Sequence, residues 1–164
     1  MEFYAKIKMA KLGRNATGNA GVRGLLAKMA KDGNYKEYWD QIYYELALIS
    51  ISENNKVEAR KFLHQSVDKS IANDDQKALS FMKLAELDYE DEAYVQSKFY
   101  YDSTLNFMAK NDARYADIDE RDKLLDNLVK QLTIIAEEDS LQNQRSRSTA
   151  ARLWPQQRCK CRCW

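Results

Sequence analysis

The sequence predicts an all-α fold in which helical hairpins repeat along the chain. The block Tyr43–Ala47 (YYELA) recurs at an offset of 38 as Phe81–Ala85 (FMKLA). Self-similarity at a period of 20–50 residues is typical of repeat architectures. The 164 residues include only 5 Gly and 1 Pro, too few for the turns of an all-β protein. No run approaches the roughly 20 consecutive apolar residues of a membrane span.

Each predicted helix lies between polar or Gly-containing breaks. A Gly/Asn-rich stretch at 13–21 separates the first two helices, and Gly33 supplies a left-handed stop for the second. Glu53–Asn55 is a polar turn, and 72–75 breaks the chain again with an Asp placed to cap the next helix. The helices are predicted over residues 2–12, 22–31, 35–52, 56–71, 76–90, 92–109 and from 115 or 117 to 141. They form three hairpins over 2–33, 35–72 and 75–110, followed by a long capping or linking helix over 115–142.

Fixed columns of small and large residues predict how each hairpin packs. Twelve residues after each block's alanine comes another small residue, and four further on comes a large one. Antiparallel helices approach closely only where small side chains face the partner backbone. A decayed copy precedes these two at an offset of 37, with Val22 and Leu26 in the later columns. The predicted repeat-packing residues are Ala10, Ala47, Ala59, Leu63, Ala85, Ser97 and Tyr101.

These columns resemble the tetratricopeptide repeat family, whose pattern is an aromatic residue, Leu, two small residues and a large apolar one at these spacings. The resemblance covers about residues 2–110. It implies a solenoid of helical hairpins that binds other proteins without catalysis. The chain departs from the family in its longer period, in lacking the final Pro, and in carrying Ser50 and Asp88 where the family has tyrosine.

A narrower resemblance rests on the stretches 40–47, 76–80, 100–103 and 138–141. They are similar to the tetratricopeptide lipoproteins of bacterial gliding motility and type IX secretion. That likeness implies a scaffold associated with the periplasm or outer membrane. No signal peptide is visible at the N-terminus, so in that case the chain is a fragment of a larger protein. Otherwise the expected compartment is the cytoplasm.

The tetratricopeptide template places one face of each hairpin's first helix on a concave groove. Large apolar and aromatic side chains dominate protein interfaces, so this groove is the candidate site for a protein or peptide partner. The alternative is that some of these residues are core between repeats. The candidate groove residues are Tyr4, Tyr44, Leu48, Met82, Glu86 and Tyr89.

The last predicted helix carries a heptad-like apolar stripe. Its members are seven, three, four and three residues apart, and Leu124 and Ile134 widen it. One part of the stripe is expected to pack on the third hairpin. The remaining width favours contact with a partner or with further repeats of a longer protein. The stripe residues are Ile118, Leu125, Leu128, Leu132 and Ile135.

The C-terminal segment 143–164 differs sharply in composition. It contains six of the 26 basic residues, all three Cys and none of the 25 acidic residues, which leaves residues 1–142 at about −5. The body is therefore not expected to bind nucleic acid. The tail is predicted to be disordered or non-native, such as the product of a shifted frame. An alternative function is a generic adaptor whose arginine-rich tail binds RNA or anionic membrane.

No residue pattern predicts an enzyme, a cofactor or a metal site. His64, the single histidine, lies in a predicted helix without a nucleophile or orienting group nearby. The acids at 74–75 and 90–92 fall at helix boundaries, where acids cap helices and complement the helix dipole. Cys159, Cys161 and Cys163 alternate, unlike the paired spacing of zinc ligands.

Overall fold

A computed structural model describes residues 19–153, with the side chains of residues 21–147. This part of the chain contains six α-helices and one 3-10 segment and no β-strand, as the all-α prediction requires. No helix among these residues is long and apolar enough to cross a membrane. The α-helices are α1 (Asn19–Met29), α2 (Trp39–Ser52), α3 (Lys56–Lys69), α4 (Asp74–Glu90), α5 (Tyr94–Phe107) and α6 (Tyr115–Leu153), and the 3-10 segment is Gly33–Tyr38.

Each helix packs on its neighbours in sequence, and α2 also contacts α4. The buried apolar residues form two clusters. One lies between α1 and α2, and the other extends from α2 to α6. Phe62 of α3 packs against both clusters and so joins them. The residues of these clusters are almost fully buried, including Ile42 at 0% exposure and Leu26 at 1%.

The turns α2–α3 and α4–α5 are copies of each other. Asn54 and Glu92 lie one repeat period apart and have positive φ of 58° and 59°. In both turns the following residue's amide donates to a carbonyl near the end of the preceding helix. These bonds join Asn55 N to Ser50 O at 2.8 Å and Ala93 N to Asp88 O at 2.9 Å. The predicted hairpin turns therefore share one backbone geometry.

Two predicted helix boundaries are wrong in detail. Gly33 is not in the left-handed region. Helix α1 ends earlier, at Met29, and Asp32 caps a 3-10 segment by accepting from the Asn34 amide at 3.0 Å. Tyr35, inside this segment, has non-helical φ and ψ of −105° and 16°, and α2 begins at Trp39 rather than at residue 35.

The N-cap of α4 is Asn73, which accepts from the Gln76 amide at 3.2 Å, rather than the expected Asp. Asp74 and Asp75 instead occupy the first turn of this helix, where carboxylates complement the N-terminal dipole. Asn73 has a second role, because its side-chain amide donates to Asp40 Oδ2 of α2 at 2.9 Å. The cap therefore ties the start of α4 to α2.

The last helix is longer than expected. It continues past Leu141 to Leu153, so residues 143–153, which belong to the segment predicted to be disordered or non-native, are helical. The added segment contains good helix formers and no Gly.

Candidate partner-binding surface

The crossing points of the hairpins set the spacing of the helices that carry the candidate surface. Ala47 and Ala59 are both 0% exposed, as are Ala85 and Ser97. Ser97 Oγ donates to the carbonyl of Ala85 at 2.9 Å. A larger side chain at any of these positions would push two helices apart.

The remaining repeat-packing positions lie beside these contacts. Leu63 is 0% exposed and Tyr101 is 2% exposed. Ala10 lies outside the described residues. All the described members of the predicted packing set are thus buried.

The candidate groove residues differ in exposure. Tyr44 and Met82 are half-buried and pack against the cluster that extends from α2 to α6. Leu48 is half-buried as well. Tyr89, at the end of α4, is exposed by 53%. Tyr4 lies outside the described residues, and the described candidates lie on α2 and α4.

Glu86 is tied to its own helix. Lys83 Nζ lies 2.5 Å from Glu86 Oε2, one turn away along α4. This pair neutralises the carboxylate at the middle of the predicted groove. A partner that binds in the groove would therefore contact a Glu86 carboxylate that is already paired with Lys83.

A pocket of about 380 Å³ opens where α4, α5 and α6 meet. Tyr89 stands on one wall, and the other wall is formed by α6, whose Leu124 and Leu128 are exposed by 65% and 38%. This combination of apolar walls with a few polar groups is typical of binding sites. The pocket, called here the α4–α6 pocket, is lined by Tyr89, Tyr101, Arg121, Leu124, Leu125 and Leu128.

Polar groups line one side of the α4–α6 pocket. Burial raises the pKa of the Tyr101 phenol, and the hydrogen-bonded Arg121 guanidinium opposes that shift. The same hydrogen bond raises the pKa of Arg121. Arg121 is exposed and keeps donors beyond the one that Tyr101 uses, since a guanidinium carries five N–H groups.

Sequence reasoning placed Leu124 and Leu128 in the stripe of the last helix and Tyr101 among packing residues, but missed that Tyr89 joins them. The sequence repeat contains information about the position of α6. Ile42, Ser80 and Ile118 follow one another at the repeat offset of 38 residues, and all three are buried, at 0%, 0% and 4% exposure. A second buried column at the same offset contains Ile49, Leu87 and Leu125.

The two buried columns show that the first half of α6 repeats the register of α2 and α4. Extending the alignment past residue 110 would have placed Ile118 and Leu125 of α6 in these buried columns. The stripe of α6 divides accordingly, because Ile118 and Leu125 are buried whereas Leu132 and Ile135 are exposed by 37% and 56%.

The described residues offer no arrangement for metal chemistry. They contain no group of three or more His, Cys, Asp or Glu side chains able to hold an ion. His64 is exposed and its ring lies 6.1 Å from that of Tyr100. The cysteines 159, 161 and 163 lie outside the described part. The surface assembled here can bind through apolar contact and a guanidinium.

Comparison with protein-family models gives no match for this chain. Comparison with curated proteins gives no match either.

Proposed function

We propose that this protein is a non-catalytic scaffold for protein–protein interaction, built as a tetratricopeptide-like solenoid. The observation that carries the proposal is the α4–α6 pocket, in which exposed Tyr89, Leu124 and Leu128 face an open volume of about 380 Å³. Exposed apolar clusters of this kind are costly unless a partner covers them. Aromatic and large apolar anchors in a pocket are where interfaces concentrate their binding energy.

The solenoid part of the proposal is supported by the repeated geometry. The two hairpin turns match bond for bond at the offset of the sequence repeat. Helices contact chiefly their sequence neighbours, and α2 contacts α4 in the next hairpin. Quasi-one-dimensional packing of this sort is the organising feature of repeat proteins, which present extended surfaces to partners.

The partner class that suits the pocket is a peptide or helix with large apolar side chains.

Under the narrower form of the proposal, the chain belongs to a cell-envelope scaffold of secretion or gliding motility, located at the periplasmic side of the outer membrane. The resemblance in the repeat region supports this form. Recovery of outer-membrane secretion components with the natural full-length protein would favour it, and recovery of cytosolic partners alone would overturn it.

The interaction proposal is tested by site-specific photo-crosslinking in the source cells. A photoreactive amino acid replaces Tyr89 in one variant and Val57 in the other, because Val57 is an apolar residue exposed by 80% on α3, outside the pocket. A discrete crosslinked protein at Tyr89 and none at Val57 is expected. Equal, diffuse labelling at both positions would refute a partner site in the pocket.

A second candidate function is RNA or anionic-membrane binding by the basic C-terminal segment. The observation in its favour is that Arg145 and Arg147 lie exposed on the helical extension of α6. Deleting residues 143–164 and measuring binding to RNA and to anionic vesicles against salt tests it. A steep salt slope that the deletion abolishes would support this function, and unchanged weak binding would exclude it.

A further inference from the structure

Helix α6 extends well beyond the helices it packs on. Its 39 residues span about 58 Å at 1.5 Å per residue. Residues 130–147, called here the free half, are all exposed. Leu132 and Ile135 nevertheless continue the face of Leu128 at spacings of four and three residues. The stability of helices in proteins comes mainly from packing of an apolar face. We therefore expect this exposed face to be covered by a partner.

The free half mirrors the part of α6 that lines the α4–α6 pocket. Both sets have members separated by three, one and three residues, and the charged member is the first residue of one set and the last residue of the other. Pairing them antiparallel about the position of Lys130 places a residue of one set opposite each residue of the other. The pocket set is Arg121, Leu124, Leu125 and Leu128, and the free-half set is Leu132, Ile135, Ala136 and Asp139.

We propose that the occupant of the α4–α6 pocket is the free half of α6 from a second copy of this chain. The inference rests on the proposed function, because it names the partner of that same pocket. Two copies related by a two-fold axis would each insert a free half into the other's pocket. Such an interface is isologous, and it requires both complementary surfaces to lie on one chain. Here both lie on one helix.

Charge complementarity fixes the register of this pairing. Leu128 of one copy lies opposite Leu132 of the other at the centre, and Arg121 lies opposite Asp139 at each end. Arg121 already stands at the pocket wall beside Tyr101, and a guanidinium binds a carboxylate with strong, directional hydrogen bonds. The pairing therefore places the apolar contacts between two ion pairs.

The residue nearest the axis does not oppose the pairing. Lys130 lies two residues from Leu128, about 200° around the helix, so it points away from the paired face. Its ammonium is 2.5 Å from Asp126 Oδ2 on the same helix. The two copies of Lys130 thus avoid the like-charge contact that a central position would create.

Sedimentation of the purified full chain, across its soluble concentration range, tests the proposal. The wild type is expected to form a dimer. Leu132→Glu places a charge in the apolar centre and should raise the dimer dissociation constant by at least about 100-fold. Leu141→Glu is the matched control, because Leu141 lies on the same helix nine residues on, about half a turn away from that face.

A charge exchange tests the register. Arg121→Asp and Asp139→Arg, taken singly, set like charges against each other at both ends and should each weaken dimerisation about tenfold or more. The double variant restores both ion pairs and should recover most of the wild-type affinity. A structural effect on the monomer would not be reversed by the second substitution.

A wild-type chain that remains monomeric at its highest soluble concentration overturns the inference. The inference is also overturned if the double variant loses as much dimerisation free energy as the two single variants together. If the chain is monomeric but Tyr89 still crosslinks a different protein, the proposed function stands and the second-copy inference fails. If the charge exchange restores a dimer and no other protein is captured, the inference stands and the wider scaffold function fails.

Discussion

At the scale of single residues, the repeat depends on small side chains at the helix crossings. Ala47, Ala59, Ala85 and Ser97 are fully buried, and they recur at a fixed offset. The hydroxyl of Ser97 bonds the Ala85 carbonyl at 2.9 Å. Serine therefore meets the size limit at this position and also adds a link between two helices that the alanine pair lacks.

We expect Ala59→Leu to destabilise the fold by about 1–3 kcal/mol, since three added carbons must fit into a closed crossing. Urea unfolding followed by circular dichroism measures the change. Lys61→Leu, at an exposed position of the same helix, is the control and should change stability little. Equal unfolding midpoints for the two variants would show that the crossing tolerates the larger residue.

The two turn residues with positive φ provide a second comparison. Glycine adopts this conformation without the steric cost that a Cβ incurs. Glu92→Gly is therefore expected to stabilise the fold by about 1 kcal/mol, and Asn54→Gly by less, because Asn tolerates this region better. Glu90→Gly, at the last residue of α4, should destabilise by contrast. The thermal midpoints of the three variants, in one buffer, decide the order.

At the scale of elements, ion pairs link the first turns of one helix to the C-terminal end of the helix that follows it in the chain. Arg23 of α1 lies 2.5 Å from Glu53. Arg60 of α3 donates to Asp88 and Asp91 at the end of α4, at 2.9 and 2.5 Å. The two cations, like the acids Glu53 and Asp91, recur at the repeat period to within one position, so the link follows the repeat.

The third link in this series joins α5 to α6. Lys98 lies 3.7 Å from Asp122 and 3.8 Å from Asp126. Burial raises the pKa of Asp122, the nearby Asp102 adds to the rise and Lys98 opposes it. The series therefore continues into α6, with looser geometry at its last member.

Arg60→Ala is expected to cost about 1.5–3 kcal/mol, because it leaves the largely buried Asp88 without its charged donor. Lys61→Ala removes an exposed cation from the next position and is the control. Urea unfolding at neutral pH measures both. A loss no larger for Arg60→Ala than for Lys61→Ala would mean that the link contributes nothing to stability.

The loop between α5 and α6 predicts a pH dependence. Arg114 Nε and Nη2 donate to the Asp112 carboxylate at 3.0 and 2.7 Å, and the Arg114 amide donates at 2.9 Å. These bonds lower the pKa of Asp112 to about 2. A lowered acid pKa stabilises the fold above the unfolded value of 3.8, and this contribution is lost as pH falls from there towards 2.

Asp112→Asn should therefore reduce the dependence of the unfolding midpoint on pH between about 4 and 2. Asp119→Asn is a suitable control, since Asp119 pairs with Lys123 within one helix at 2.5 Å and does not cap the loop. Midpoints measured in steps across this interval give the slopes. Parallel slopes for wild type and Asp112→Asn would contradict the assignment.

At the scale of the whole molecule, stability is expected to be uneven. Burial is concentrated between α1 and the first half of α6, whereas residues 130–147 are exposed throughout. Segments with few buried contacts open at low free energy. The molecule therefore combines a packed body with a projecting helical segment, which we expect to open at low free energy unless it is covered.

Hydrogen exchange should reveal this division. Amides of α4 and α5 are expected to exchange slowly, and those of residues 130–147 rapidly, in the Leu132→Glu variant. In the wild type at high concentration the free half should become protected, because dimerisation covers it. Protection of the free half that is independent of concentration would indicate that it is covered within its own chain.

Much of the fold could be predicted from the sequence because local rules and the repeat agree. Asn55 begins α3 as an N-cap, accepting from the Glu58 amide, where the polar turn placed the boundary. The miss at Gly33 arose because glycine marks several kinds of backbone break. Composition alone favours disorder for the segment from residue 143, but residues 143–153 contain neither Gly nor Pro and are helical.

The candidate site was harder to predict because it joins three helices. Tyr89 was named from its column, but its pocket partners Arg121 and Leu128 lie two helices further along the chain. Their proximity depends on α6 packing against α5, which itself packs on α4. The repeat columns of Ile118 and Leu125 carry that information, in a helix without the Tyr/Leu/Ala block that identifies the other copies.

By itself, the sequence determined the helices, the period and the small residues at each crossing, because side-chain size and turn chemistry act within one hairpin. Only the tertiary structure decided which apolar residues are covered. Ile118 and Leu128 belong to one stripe, yet one is buried and the other opens onto the α4–α6 pocket. The physical reason is that burial depends on where the neighbouring helix ends, and α6 continues past the end of α5 as an uncovered helix.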